Sequence, residues 1–350
     1  MTNIERAATL RDIAELCGVS VPTVSKVLNG RGTVSRDTYR RIMAAVEELD
    51  FRPNGLAKAF ALGRSFTVGV LAQNANSSLA SRVILGLSAE LSKNDIAVLI
   101  YDDVDDPSGI QNARARASNL RTLQSRRVDG VVVVSDGNDQ VVPSVSSIFD
   151  CPVINAYSRS TDPEDTCFEP DDVGAGLQAA QHLVNQGRTR IAHVTGRSDS
   201  RATIDRLSGV MKSLAENGIP LALAGPLYGN WSIAWGMQAG YHLLERLDEF
   251  DAVVCGNDYI ATGIHRVFER AGVRVPDDVA LIGYDNRAQL DTVNADNFLT
   301  TMDPRLSELG RLAAQAIVTD ATHTRPTGVV LQGCVLVPGV SSGAVTASPV

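Results

Sequence analysis

Apolar positions in this chain recur with two different periods. Over the first sixty residues they return every three or four positions, the spacing of one helical face. Leu10, Ile13, Ala14 and Cys17 share one such face, Val24, Val27 and Leu28 a second, and Tyr39, Ile42, Met43, Val46 and Leu49 a third. The punctuation agrees. Thr9 suits a helix N-cap, with Asp12 three residues on, where the dipole favours an anion. Gly18 suits the left-handed conformation that ends a helix. Ser20 caps the next segment, with Pro22 in its first turn, where a missing N–H costs nothing. Ser35 caps a third helix, and Val34 is placed to staple against Tyr39. Three short helices around one small core are predicted over residues 1–50, followed by a linker over 51–65.

From Phe66 the period changes. Apolar runs TVGVLA (67–72), IAVLIY (96–101), DGVVVV (129–134), PVIN (152–155), RIAHVT (190–195), DAVVC (251–255) and DVALIGY (278–284) read as buried parallel strands. Segments of helical spacing separate them. Strand–helix alternation predicts doubly wound α/β layers with right-handed crossovers. An alternation this long predicts two lobes, with ligands at the carboxyl ends of the strands. The fold class expected is α/β, an effector-binding body over 66–340 behind a helical head.

Charge sharpens the division. The chain has 350 residues and a net charge of −8, which argues against a nucleic-acid binder if taken whole. Residues 1–64 hold ten Lys/Arg against seven Asp/Glu, a balance of +3, which leaves 22 against 33, or −11, in the rest. An acidic body confines DNA contact to the basic end. The cysteines (Cys17, Cys151, Cys167, Cys255 and Cys334) are odd in number, scattered and free of CxxC spacing, so a disulfide framework or zinc cluster is not expected and a reducing cytoplasm is. The opening residues MTNIERAATL contain no long apolar run, so no secretory leader is expected, and no stretch is apolar enough for a membrane span. No cofactor and no metal are expected.

On the second helix Val21, Pro22, Thr23, Ser25 and Lys26 lie on or near the outer face, a polar row suited to phosphates and base edges in a major groove. The runs TLRDIAELCGVSVPTVSKVLNG, VSRDTYRRIMAAVEELDFRPN and LAKAFALGRSFTVGVL closely resemble the lactose/galactose repressor family of bacterial transcription factors. The resemblance implies that Val21, Pro22 and Lys26 face base edges. It places Thr9, Ser20, Thr23, Ser25, Asn29, Val34, Ser35 and Thr38 at or near phosphates. RPNGLAKAF resembles the family's hinge helix, which pairs with its twin in the minor groove, so Asn54, Ala57 and Phe60 join the DNA-binding set. Phe60 stands where the family usually has leucine, as the apolar wedge between base steps. Gly55 lowers helix propensity by roughly 1 kcal/mol relative to Ala, so this hinge is expected to be disordered without DNA.

Across the body the resemblance is looser. It implies the periplasmic-sugar-binding-protein fold, with one lobe near 66–162, another near 168–296 and a shared C-terminal segment. The last ten residues, SSGAVTASPV (341–350), are small and polar, expected to be disordered, and without the leucine heptads of a tetramer-forming coiled coil. Asn74 and Asn76, Arg206, Trp231, Asn257, Asp258, Asp285 and Asp303 follow strand ends or sit near them, the polar mix a sugar needs. By resemblance Arg206, Trp231, Asn257 and Asp285 fall on effector-contact positions, whereas Asp258 is expected to cap the following helix. Tyr157 joins the candidate effector set although relatives often carry aspartate there. The effector set is thus Asn74, Tyr157, Arg206, Trp231, Asn257, Asp285 and Asp303.

Other signals are set aside. Gly174, Gly176 and Ala179 match a loose G-x-G-x-x-A, but EPDDV precedes them rather than a strand, so a helix N-terminus capped by Asp171 or Asp172 is expected. The histidines lack metal spacing, and His193 reads as structural. No nucleophile elbow is present. The chain is therefore expected to be a homodimeric DNA-binding regulator of carbohydrate-use genes. It would repress through double-stranded operator DNA and answer to a small effector, with a sugar as the first choice. A purine-responsive regulator, a sugar-binding protein without a DNA role, and an enzyme using Asp285 with Asp303 are the alternatives.

Overall fold

The computed structural model describes residues 8–28, 34–51, 62–103, 110–137, 139, 141–287, 298–319 and 325–343. The chain divides into two units, residues 1–65 and 66–350.

In the head, α1 (Leu10–Cys17), α2 (Val21–Leu28) and α3 (Arg36–Glu48) enclose Ile13, Ala14, Cys17, Val24, Ile42, Ala45 and Phe51. Thr9 and Asp12 form a reciprocal capping box: the Thr9 amide donates to Asp12 Oδ2 at 2.7 Å, and the Asp12 amide donates to Thr9 Oγ1. Gly18 ends α1 at φ 61°, in the left-handed region, and Ser35 caps α3 by accepting from the Thr38 amide at 3.1 Å. The stripe expected on α3 needs correction. Tyr39 and Met43 are exposed, and Ala45 and Phe51 take the inward places. With only three short helices, a face of Ile42, Ala45 and Val46 suffices to cover α1 and α2.

The body holds two six-stranded sheets. The first runs β2 (Ala97–Asp103), β1 (Thr67–Gln73), β3 (Gly130–Val134), β5 (Val153–Ala156), β7 (Thr166–Pro170), β13 (Val329–Gln332); a separate short pair is β4 (Val141–Val142) with β6 (Arg159–Ser160). The second runs β9 (Leu227–Tyr228), β8 (Ile191–Thr195), β10 (Ala252–Cys255), β11 (Ala280–Tyr284), β12 (Thr300–Asp303), β14 (Val335–Val337). All pairings within them are parallel except β12 with β14. Each sheet starts its order with its second strand beside its first, so each has a switch point between its first and third strands, where a crevice opens at the carboxyl ends. Burial on both faces explains the continuous apolar runs.

Helices cover both faces. In the first lobe α4 (Ala80–Ser92) and α10 (Leu306–Val318) cover one face, and Leu120 and Leu123 of α5 (Ile110–Ser125) pack on the other. In the second lobe α6 (Asp172–Asn185) and α7 (Arg201–Glu216) cover one face, and α8 (Ile233–Leu244) and α9 (Asp258–Ala271) the other. Each fully buried Val, Leu or Ile contributes roughly 1.5–3 kcal/mol.

The lobe limits differ from the expected ones. β7 and its residues 168–170 belong to the first sheet, and the chain crosses between lobes at β7–α6, β12–α10 and β13–β14. Thr166–Pro170 carries too few alternating positions to read as a strand, and its pairing to β5 and β13 is long-range. The tail also needs correction at its start. Val340–Ser342 forms a 3-10 turn with Ser341 and Ser342 buried. Ser341 Oγ donates to the Leu281 carbonyl at 2.7 Å, and Ser342 Oγ bonds His182 and Thr300. Small hydroxyls fit against backbone there, which composition alone does not signal. Residues 344–350 lie outside the described residues.

Candidate functional site

Two sets of residues carry chemistry, one in each unit. In the head, Ser20 just before α2, Val21 and Pro22 in its first turn and Lys26 in its last are exposed, and Thr23 and Ser25 are partly exposed beside them. Ser20 Oγ and Thr23 Oγ1 are 2.9 Å apart, which orders the hydroxyls at the helix start. Ser35 is exposed at the cap of α3, while Thr9, Val34 and Thr38 are partly exposed. The described candidates on α2 thus form one row along an exposed helix. Arg36 and Arg40, exposed on α3, add charge that the sequence reading passed over. Asn29, Asn54, Ala57 and Phe60, with the hinge reading, lie outside the described residues.

In the body, the second set gathers at the carboxyl ends of the strands. Arg206, in the second turn of α7, is buried there because two helices approach closely. A Cβ on Gly176 of α6 would collide with the Arg206 carbonyl, and one on Gly209 with the Val173 carbonyl. Gly176, set aside as part of a nucleotide motif, is therefore a packing residue. Asp171 caps α6 through the Gly174 amide at 2.8 Å, while Asp172 faces Arg206.

The guanidinium bonds through two of its three nitrogens. Nε donates to Asp172 Oδ1 at 3.0 Å and Nη1 to the Gly256 carbonyl at 2.7 Å. Its central carbon lies 3.4 Å from the Tyr284 ring centroid and 5.4 Å from that of Trp231. Tyr284 Oη donates to the same Asp172 oxygen at 2.5 Å. Burial opposes the Arg206 charge, but Asp172, Tyr284 and Asp285 outweigh it and hold the group well above its ordinary pKa. The positive charge is permanent and already neutralised.

Trp231 lies over the switch point of the second sheet. A Cβ on Gly196 would collide with the indole, and one on Gly256 would come within 2.9 Å of it. Asn257 is the N-cap of α9, accepting from the Ile260 amide at 2.9 Å, and its Nδ2 donates to the Trp231 carbonyl at 3.4 Å. Asp258 is not the cap. It is the first helical residue, buried, accepting from Thr301 Oγ1 at 2.6 Å and the Arg287 amide at 2.8 Å. Burial, then the Asp285 carboxylate, push Asp258 up to about 7.

Asp285 follows β11 and is buried, 3.0 Å from Arg287 Nε; burial raises its pKa against the pull of Arg287. Tyr157 follows β5 at φ 63° and is buried; burial and then Asp285 raise its phenol. Arg206, Tyr157, Asp285 and Trp231 therefore share one neighbourhood. Asn74 does not join it as directly. It is exposed and donates to Asp136 Oδ2 at 3.3 Å. Asp303 accepts from Arg82, Asn286 and the Arg305 amide, and so lies in a network between the lobes.

Sequence reasoning missed a further group. Gln73 Oε1, Ser135 Oγ, Asn155 Nδ2 and Thr195 Oγ1 are buried with no hydrogen-bond partner among the described residues. An unpartnered buried polar atom costs about 1–3 kcal/mol, so such atoms mark places where something else bonds them. The available signal was position: each is the polar residue in or just after the last part of an apolar run.

Residues 65–333 match the family model described as "Periplasmic binding proteins and sugar binding domain of LacI family", and residues 9–54 match "Bacterial regulatory proteins, lacI family". The chain belongs to the LacI family. Its relatives include the HTH-type transcriptional regulator CelR of Thermobifida fusca, 30% identical over 93% of this chain and 96% of that one. The HTH-type transcriptional repressor PurR of Photobacterium profundum is 29% identical over 91% of this chain and 94% of its own. The ribose operon repressor of Escherichia coli (strain K12) is 27% identical over 90% and 94%. A solved lac repressor dimer bound to operator and an anti-inducer shares the fold, with a TM-score of 0.73, 24% identity and coverage of 97% of this chain and 100% of that one. A CelR–cellobiose complex matches with a TM-score of 0.61, 26% identity and coverage of 95% and 99%. This LacI-family chain is a DNA-binding transcriptional regulator controlled by a ligand.

Proposed function

We propose that this LacI-family regulator represses carbohydrate-use genes in the cytoplasm as a homodimer and releases or grips its operator according to a neutral sugar held between the lobes. One observation carries the ligand class. The cations at the cleft are matched by carboxylates: Arg206 by Asp172, Arg287 by Asp285 and Arg82 by Asp303. A phosphorylated or carboxylated effector would face these anions, with these three cations already paired. A polyhydroxy ligand suits the arrangement, because hydroxyls both donate and accept and so satisfy carboxylates and unpartnered amide or hydroxyl groups together. Trp231 supplies a flat apolar face for a sugar ring.

DNA binding follows from the head. Two heads on a pseudo-palindrome would each lay α2 in a major groove, with Lys26, Ser20 and Thr23 bonding phosphates or base edges. The ligand acts only through its different affinity for the two lobe arrangements, a coupling typically of about 1–3 kcal/mol. No catalytic role is assigned to Asp285 and Asp303, because each is held in a separate ion pair.

The flat apolar face of Trp231 also suits a second reading, a purine-type effector stacked on the indole. Calorimetric titration of the purified chain separates the two. Neutral mono- and disaccharides such as ribose and cellobiose are expected to include a binder, while sugar phosphates bind at least tenfold more weakly. Binding of hypoxanthine or guanine with no response to any neutral sugar would replace the sugar reading.

A further inference from the structure

The two lobes are tied by polar contacts made by their own side chains. The first tie starts from Arg82 in α4 of the first lobe. Its Nη1 donates to the Asp285 carbonyl at 2.6 Å and its Nη2 to Asp303 Oδ1 at 3.0 Å, both in the second lobe. The acceptor is itself fixed, because Asp303 Oδ2 takes Asn286 Nδ2 at 3.0 Å. The planar guanidinium fork thus spans two acceptors that belong to two different strand ends, which an ammonium group cannot reproduce.

The second tie joins different elements. Asp139, beyond β3 in the first lobe, accepts from Ser200 Oγ at 2.7 Å and from the Ala202 amide at 2.8 Å, at the start of α7 in the second. That amide belongs to the first turn of a 16-residue helix, where donors lack helical partners and an anion is favoured. Both lobes are close-packed around continuous sheets, so they move as bodies, and a change in lobe separation that loosens the Arg82 tie also strains the Asp139 tie, along with the Arg287–Ser78 bond and the Arg201–Glu169 pair that cross the same gap.

We propose that Arg82 is a positioning residue that sets the closure of the two lobes. It bonds the main-chain carbonyl of Asp285, whose side chain belongs to the cleft cluster, and it stands on α4, which packs against α10 just past the second crossover. Arg82 therefore fixes the cleft at one width and transmits a change at Asp285 to the first lobe. Its consequence for gene control rests on the cleft being the ligand site; lobe closure itself does not.

Amide hydrogen exchange on the full-length chain, without any ligand, tests this. In Arg82→Met the Ala202 amide is expected to exchange roughly tenfold faster or more, the scale of a lost charge-assisted hydrogen bond, although the bonds of Arg82 go to Asp285 and Asp303 and not to α7. Arg82→Lys, a conservative change that keeps the charge, should fall between Met and the parent. Asp303→Asn should shift Ala202 in the same direction. Faster exchange confined to residues 78–90, 285–287 and 303–309, with Ala202 unchanged in all three variants, would reduce Arg82 to a local structural contact and overturn the proposal.

Discussion

Asp172 and Arg206 form a buried ion pair, with Nε 3.0 Å from Oδ1 and both side chains almost wholly excluded from solvent. Removing one partner of such a pair leaves an uncompensated buried charge, which costs about 3–5 kcal/mol. Asp172→Ala is therefore expected to destabilise the body by about that amount in urea unfolding. A loss below about 1 kcal/mol would mean that the charge is not held where the geometry puts it. Arg206→Ala should lose both ligand response and stability, so its binding defect has to be measured on the folded fraction.

Gly176 sets the position of that arginine. A methyl group there would collide with the Arg206 carbonyl, and the obstacle is backbone, which cannot rotate away. Gly176→Ala is expected to push α6 and α7 apart and cost about 1–3 kcal/mol, as overpacking does. Thermal unfolding checks it, with Gly187→Ala, where nothing lies within 4 Å but φ is 84°, as the comparison for pure backbone strain. Equal losses at the two glycines would remove the packing argument.

Lys26 is exposed on α2. If it contacts a phosphate, Lys26→Ala weakens binding to all sequences and lowers the salt slope of log K by about 1. Base contact instead relaxes specificity at one position of the site. Fluorescence anisotropy across a salt series reads both, and an unchanged affinity, slope and sequence preference would take Lys26 off the DNA.

Asp165 gives a pH dependence. Burial alone would raise its pKa, but hydrogen bonds from the hydroxyls of Ser146, Ser160 and Ser144 outweigh burial and hold it below the usual carboxylate range. The stability it contributes is therefore present above an unfolded pKa of about 3.9 and is lost as pH falls through the lower folded value. Asp165→Asn should be about 1–3 kcal/mol less stable at neutral pH and should lose less on acidification. Urea midpoints measured between about pH 2 and pH 6 test this; parallel curves for the two proteins would contradict it.

The sequence was most legible where one local rule decides an element. Thr9, Gly18 and Ser35 announce helix ends through their own side chains or their tolerance of positive φ, and the valine runs announce buried strands. Legibility failed where distant contacts decide. Thr166–Pro170 becomes a strand only through β5 and β13, and Ser341 is buried only because Leu281 and Thr300 bond it. The same holds in the cleft. Arg206 and Trp231 could be named by resemblance, but their shared surroundings depend on Gly176, Gly196 and Asp172, whose roles exist only once helices and loops meet.

The most direct test of the account is selection of DNA fragments by the purified full-length chain from a random duplex library, repeated with the neutral sugar found by titration. Enrichment of one pseudo-palindrome, lost or gained at least fivefold when the sugar is added, is the predicted result; fivefold is the low end of a coupling of about 1–3 kcal/mol. Enrichment of no sequence, or of one whose occupancy ignores every ligand that binds the body, would contradict it.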